Sequence, residues 1–108
     1  MTKSIAAIGL AILLYSATGN TGVLIEGVIC RYACGDNCYL VITDKHGKEH
    51  MGLCAATICR AWNERESGMP PKFKGKKVRI TVGKGTQYYG DGSVAGETDS
   101  FDNIDFIK

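Results

Sequence analysis

Apolar residues in the first half of the mature region recur mostly at every second position, the period of a strand with one buried face. GVLIEGVICRYA, from Gly22, is rich in Val and Ile and predicts a first strand. CYLVITD predicts a second, and the CGDNC between them has hairpin-turn composition. DKHGK is another turn, with Gly47 suited to a left-handed position, and KEHMGLC follows as a third strand. Setting Cys34 opposite Cys38 puts Tyr32 against Leu40 and Cys30 against Ile42. Val28 extends that side, while Arg31 and Thr43 fall on the other. The even positions are therefore expected to form the buried face.

The period then changes. In AATICRAWNERE, Ala55, Ile58, Cys59 and Trp62 recur at helical spacing, which predicts a helix over 55–66 with Trp62 buried. Gly68, Pro70 and Pro71 stop it. KKVRITV is a fourth strand, in which Val78, Ile80 and Val82 alternate with polar neighbours. GKGTQYYGDGSVAGETDS is glycine-rich and polar, so it is a long loop or an excursion hairpin turning at GDG. NIDFIK closes the chain as a short alternating strand. No repeat and no second domain interrupt this order.

Three meander strands, a helix, a fourth strand, a long connection and a last strand resemble the OB-fold. This is a small five-stranded barrel whose helix lies between the third and fourth strands. The resemblance covers most of residues 22–108, and small exported bacterial envelope proteins look similar in general layout. It implies an all-β barrel with one helix. It also implies a strand face and flanking loops of the kind that take oligonucleotides or oligosaccharides.

The N-terminus changes the picture of the cysteines. MTKSIAAIGLAILLYSATGN carries Lys3, an apolar run from Ile5 to Leu14, then small and polar residues. That is the layout of a secretory signal, with cleavage expected after Gly19. Residues 20–108 then form a single mature domain with no membrane span, periplasmic or secreted. A domain this small gains from covalent staples, and an oxidising compartment sustains them.

Five cysteines leave one unpaired. Cys34 and Cys38 close a short turn, and Cys54 can reach Cys59 one helical turn inward. A competing set joins Cys38 to Cys54. Cys30, facing Ile42 on the apolar side, is the expected free thiol, a small buried hydrophobe. Zinc fits poorly, because no CxxC occurs and Cys30 and Cys34 on one strand lie about 13 Å apart at ~3.3 Å per residue. Redox catalysis fits no better, since the cysteines flanking the helix start are five apart rather than three. No metal or other cofactor is expected.

Candidate chemistry beyond the cysteines is sparse. His46 lies in a tight turn and His50 on the polar side of its strand, so neither has a nucleophile to serve. The chain is expected not to be an enzyme. Charge is uneven: Lys72, Lys74, Lys76, Lys77, Arg79 and Lys84 crowd one stretch, and Asp91, Glu97, Asp99, Asp102 and Asp105 make the last one acidic. Adjacent strands can simply neutralise each other. The acidic run lacks the order of a calcium loop. Alternatively, Phe73, Lys74, Lys76, Arg79, Lys84, Tyr88 and Tyr89 form a binding groove with stacking surfaces.

Export argues against nucleic acid as the physiological partner and favours an envelope polymer, a glycan or a protein. The expected function is a non-catalytic binding module using a strand face and the long loop to hold an oligomeric or anionic envelope ligand. The alternative is a structural or inhibitory envelope protein acting through protein contact. An exposed Tyr88–Tyr89 pair in a concave groove would favour the first, and a flat apolar patch or a free sheet edge the second.

Overall fold

One long strand serves two neighbours in the computed structural model, which describes residues 22–108. The predicted signal segment and its cleavage point lie outside those residues. Strand β1 (Val23–Cys34) pairs through its first half with β4 (Lys77–Tyr88), from Val23↔Val82 to Val28↔Lys77. Its second half pairs with β2 (Cys38–Thr43), ending at Cys34↔Cys38. Strand β3 (Glu49–Cys54) continues the meander, helix α1 (Thr57–Glu64) follows, and β5 (Val94–Phe106) returns along β4. The strand order β1-β2-β3-β5-β4 closes on itself. This is a disulfide-stapled, five-stranded OB-like barrel with one helix, as the element order implied.

The register of the β4–β5 pair shifts at Thr81/Val82 and at Gln87/Tyr88, and that of the β1–β2 pair departs from strict alternation at one residue. Tyr32↔Leu40 and Cys34↔Cys38 pair as expected, but Ile42 faces Ile29, because Cys30 is an extra residue between Ile29 and Arg31. Such a bulge flips everything beyond it to the other face. Ile29 takes the core position at 2% exposure, whereas Val28 turns outward at 37%. Cys30 is thus half-exposed and not the buried hydrophobe expected, although it is the one unpaired cysteine. The bulge gives the Ile29 backbone its own partners. Its N–H donates to Lys76 O and its carbonyl accepts from Gly75 N–H, both at 2.9 Å.

Four other boundaries differ from the sequence pattern. The helix begins at Thr57 instead of Ala55, because the Ala55 N–H donates to Phe101 O at 3.1 Å and prolongs the strand pairing. It also ends at Glu64, short of the expected 66, with Arg65 already extended. The fourth strand runs on to Tyr88 and the last begins at Val94. GKGTQYYGDGSVAGETDS is therefore an excursion hairpin, and the last strand is far longer than NIDFIK. Its glycines hide strand character, since they add no apolar alternation.

The core gathers Ile29, Leu40, Ile42, Val78, Ile80 and Phe101 inside the barrel, with Cys59, Trp62 and Met69 over it. Each large side chain so buried contributes ~1.5–3 kcal/mol. Trp62, 2% exposed, packs edge-on to Tyr32 and tilted on Phe73, which in turn meets Phe106. The barrel closes where β5 runs parallel to β3, over only Leu53↔Ser100 and Cys54↔Phe101. Phe101 fits there because a Cβ on Gly52 would lie 2.6 Å from two of its ring carbons.

Replacing Gly52 with Ala should therefore cost about 1–3 kcal/mol by overpacking. Gly35→Ala, whose added Cβ meets nothing within 4 Å, should shift stability by less than ~0.5 kcal/mol. Denaturant midpoints of the two variants check the contrast, and equal midpoints would contradict this packing.

Candidate ligand-binding surface

Alternation that sends Leu40 and Ile42 into the barrel sends Tyr39 and Val41 to its outer side. The ladder there sets Ala33 beside Tyr39 beside Leu53, and Arg31 beside Val41 beside Met51. Met51 is 56% exposed, while Val41 between Arg31 and Met51 is 2% exposed. The result is a short apolar strip on the β2–β3 face. At its edge Arg31 and Glu49 form an ion pair at 3.0 Å, which raises the guanidinium pKa through the hydrogen bond to Glu49. Cys30 lies beside that pair, its Sγ 3.9 Å from Arg31 Nη1 and 4.0 Å from Glu49 Oε2.

Two loops bound this strip. One is the turn Gly35-Asp36-Asn37, closed by the Cys34–Cys38 disulfide. The other is the distal half of the β4–β5 hairpin, whose close passage needs a missing side chain: a Cβ on Gly85 would lie 2.9 Å from Leu53 Cδ1. The Asn37 amide joins the two, donating from Nδ2 to Tyr88 O at 2.9 Å and accepting the Tyr88 N–H on Oδ1 at 3.0 Å. Gln87 Nε2 donates to Tyr39 OH at 2.6 Å just beside it. At the tip, Asp91 accepts the N–H and hydroxyl of Ser93, and these bonds hold its carboxyl below the usual range.

The seven residues singled out from sequence are not brought together. Tyr88 and Tyr89 stand at the hairpin tip, 47% and 57% exposed, with Val94 beside them at 64%. Phe73 is packed between Trp62 and Phe106 before the start of β4, and Tyr88 stands at the far end of that strand, which spans about 36 Å at ~3.3 Å per residue. Lys74 and Lys76 lie in that same turn before β4. Arg79 is paired with Glu26 at 2.7 Å and Lys84 with Asp99 at 2.9 Å, the neighbour-strand neutralisation considered above. No basic groove with tyrosines along it results.

Tyr39, Met51, Leu53 and Asn37 were missed. Tyr39 had a signal, because Tyr39-Leu40-Val41-Ile42 is apolar on both faces of its strand, and Met51 and Leu53 had one in their alternation along EHMGLC. Asn37 had none beyond turn chemistry.

Concavity lies elsewhere. Two open hollows, of about 520 and 690 Å³, share Ile25 and His50 at the barrel mouth. His50 pairs with Ile42, so it faces the barrel interior side and not the polar side assigned from sequence. Its Nε2 lies 2.8 Å from Asp44 Oδ2. Asp44 Oδ1 accepts the N–H groups of His46 and Lys48, and Gly47 takes φ +81° to close the turn. Among the described residues no group of three or more His, Cys, Asp or Glu could hold a metal ion.

Architecture and surface define a small OB-like barrel with two disulfides, Cys34–Cys38 and Cys54–Cys59. Such bridges are what an oxidising compartment sustains. Among the described residues no helix is long and apolar enough to cross a membrane. No protein-family model matches the chain, and neither a curated protein nor a solved structure matches it.

The Asp44 network has a measurable signature. The hydrogen bond with His50 and those from Lys48 and His46 lower the Asp44 pKa to about 2. An unfolded aspartate titrates near ~3.9, so the turn's carboxylate contribution is complete above that pH and is lost as pH falls through 2. Carboxyl-carbon NMR should give Asp44 a midpoint near 2. An ordinary midpoint near ~3.9 would contradict the network.

Proposed function

We propose that the mature chain is an exported, non-catalytic binding module that lays an oligomeric envelope ligand along the outer β2–β3 face and against the hairpin tip. The observation that carries this is the exposure of Tyr88 and Tyr89 on a hairpin tethered by the Asn37 and Gln87 hydrogen bonds. Exposed aromatics on a fixed support bind by stacking without first being ordered. Because Arg79 and Lys84 are already neutralised, contact chemistry favours a glycan-like polymer recognised by stacking and hydrogen bonds over one recognised by charge. The predicted signal segment and the two disulfides support export, to the periplasm or beyond the cell.

A second function, contact with a protein, is favoured by one observation. Beyond Val82 on β4 and before Ser100 on β5, the ribbon's outer edges pair with no other strand among the described residues. Free edges accept extended polypeptide.

The test uses the exported protein, which should begin at Asn20 on N-terminal sequencing. Calorimetry against isolated envelope polysaccharide should show binding that Tyr88→Ala/Tyr89→Ala weakens tenfold or more, about 1.4 kcal/mol, with the unfolding midpoint unchanged. Wild-type affinity in the double variant, or its failure to fold, would contradict the proposal. Polysaccharide that never binds while an envelope protein does, through the same tyrosines, would favour the second function.

A further inference from the structure

The turn that holds the hairpin is itself held by a disulfide, and that disulfide is the accessible one. Cys34 is exposed and Cys38 half-buried, whereas Cys54 and Cys59 are 4% and 0% exposed. On the barrel side, the Tyr32 hydroxyl lies 3.2 Å from Cys34 Sγ and donates to Asn63 Oδ1, while Asn63 Nδ2 donates to Cys54 O. On the hairpin side, Asn37 is the residue immediately before Cys38 and makes both bonds to the Tyr88 backbone. Asp36, in the same turn, packs against Gly90 at the tip, where an added Cβ would lie 3.1 Å from its Oδ1. Three residues closed by one bridge thus connect the helix-capped barrel to the hairpin tip.

We propose that Cys34–Cys38 is a redox-sensitive latch that sets the position of the β4–β5 hairpin tip. A dithiol donor breaks the Cys34–Cys38 S–S bond. Two electrons and two protons pass to the two sulfurs, giving two thiols, and the donor is oxidised to its own disulfide. The turn then samples conformations that the bridge excluded, Asn37 loses its fixed distance to Tyr88, and the tip is released. The barrel keeps its core, because Cys54–Cys59 is shielded and the seam at Phe101 does not involve this turn. The consequence for ligand binding rests on the function proposed above, whereas the latch does not.

Amide hydrogen exchange reads the latch without any ligand, since the Tyr88 N–H donates to Asn37 Oδ1. In the oxidised protein, Asn37→Ala should speed Tyr88 exchange about tenfold or more, which defines the released state. Cys34→Ser/Cys38→Ser should bring Tyr88 to that same rate, and so should dithiothreitol acting on the native chain. Core amides such as Ile80 and Phe101 should stay slow in every case. Dithiothreitol should add nothing at Tyr88 in the double-serine variant, which separates this bridge from Cys54–Cys59. Tyr88 exchange unchanged after loss of the bridge would overturn the proposal. So would acceleration spread equally over Ile80 and Phe101, since the bridge would then be a general staple. None of these readouts involves a ligand, so they succeed or fail independently of binding.

Discussion

Phe101 can fill the barrel because position 52 carries no side chain; its ring lies where a Cβ would be. The contact matters beyond its own burial because it sits at the seam where the sheet closes. Only Leu53↔Ser100 and Cys54↔Phe101 pair across that seam, with one further bond from Ala55 N–H to Phe101 O. A parallel pairing so short has few backbone hydrogen bonds to hold it, so side-chain packing must supply the rest. The ring provides it from inside the barrel, and Cys54–Cys59 secures the adjoining strand-to-helix junction.

The same seam positions the outer surface. Once Ser100 is beside Leu53, β5 leaves the barrel in a defined direction and carries β4 with it over Leu53, where Gly85 permits the approach. Tyr88 then reaches Asn37, and the exposed tyrosines gain a fixed place relative to Met51 and Tyr39. Packing inside the barrel is thereby linked to geometry outside it. The disulfide turn lies on the outer side of this linkage, which is why its loss can free the hairpin and spare the core.

Much of the barrel was legible in local pattern. Val78, Ile80 and Val82 alternate, Trp62 shares a helical stripe with Cys59, and Gly47 falls where the turn needs a positive φ. The bulge at Cys30 was not legible, because period-2 counting from Cys34–Cys38 has no means of detecting one extra residue. What decides it is tertiary: Ile29 fills the core better than a thiol, and its backbone finds partners in Gly75 and Lys76. The surface was less legible still. Clustering of lysines in sequence suggested a groove, yet Lys74 and Lys76 stay in the turn before β4, and on β4 Arg79 and Lys84 are opposed by acids from neighbouring strands. His50 looked polar and solvated, whereas its register with Ile42 turns it toward the barrel mouth. Asn37 acts through a residue 51 positions away, a pairing that local composition does not contain.

Closure at Phe101 is most directly tested by the proton NMR spectrum of the folded chain around Gly52. With the ring packed against that residue, the Gly52 α-protons should be displaced from ordinary glycine values by the aromatic ring current. They should also show cross-peaks to the Phe101 ring protons, with Leu53–Ser100 contacts beside them. Gly52 resonances at ordinary positions, with no cross-peak to Phe101, would mean that β5 does not dock on β3 in this register. The placement of the hairpin and its tyrosines would then fall with it.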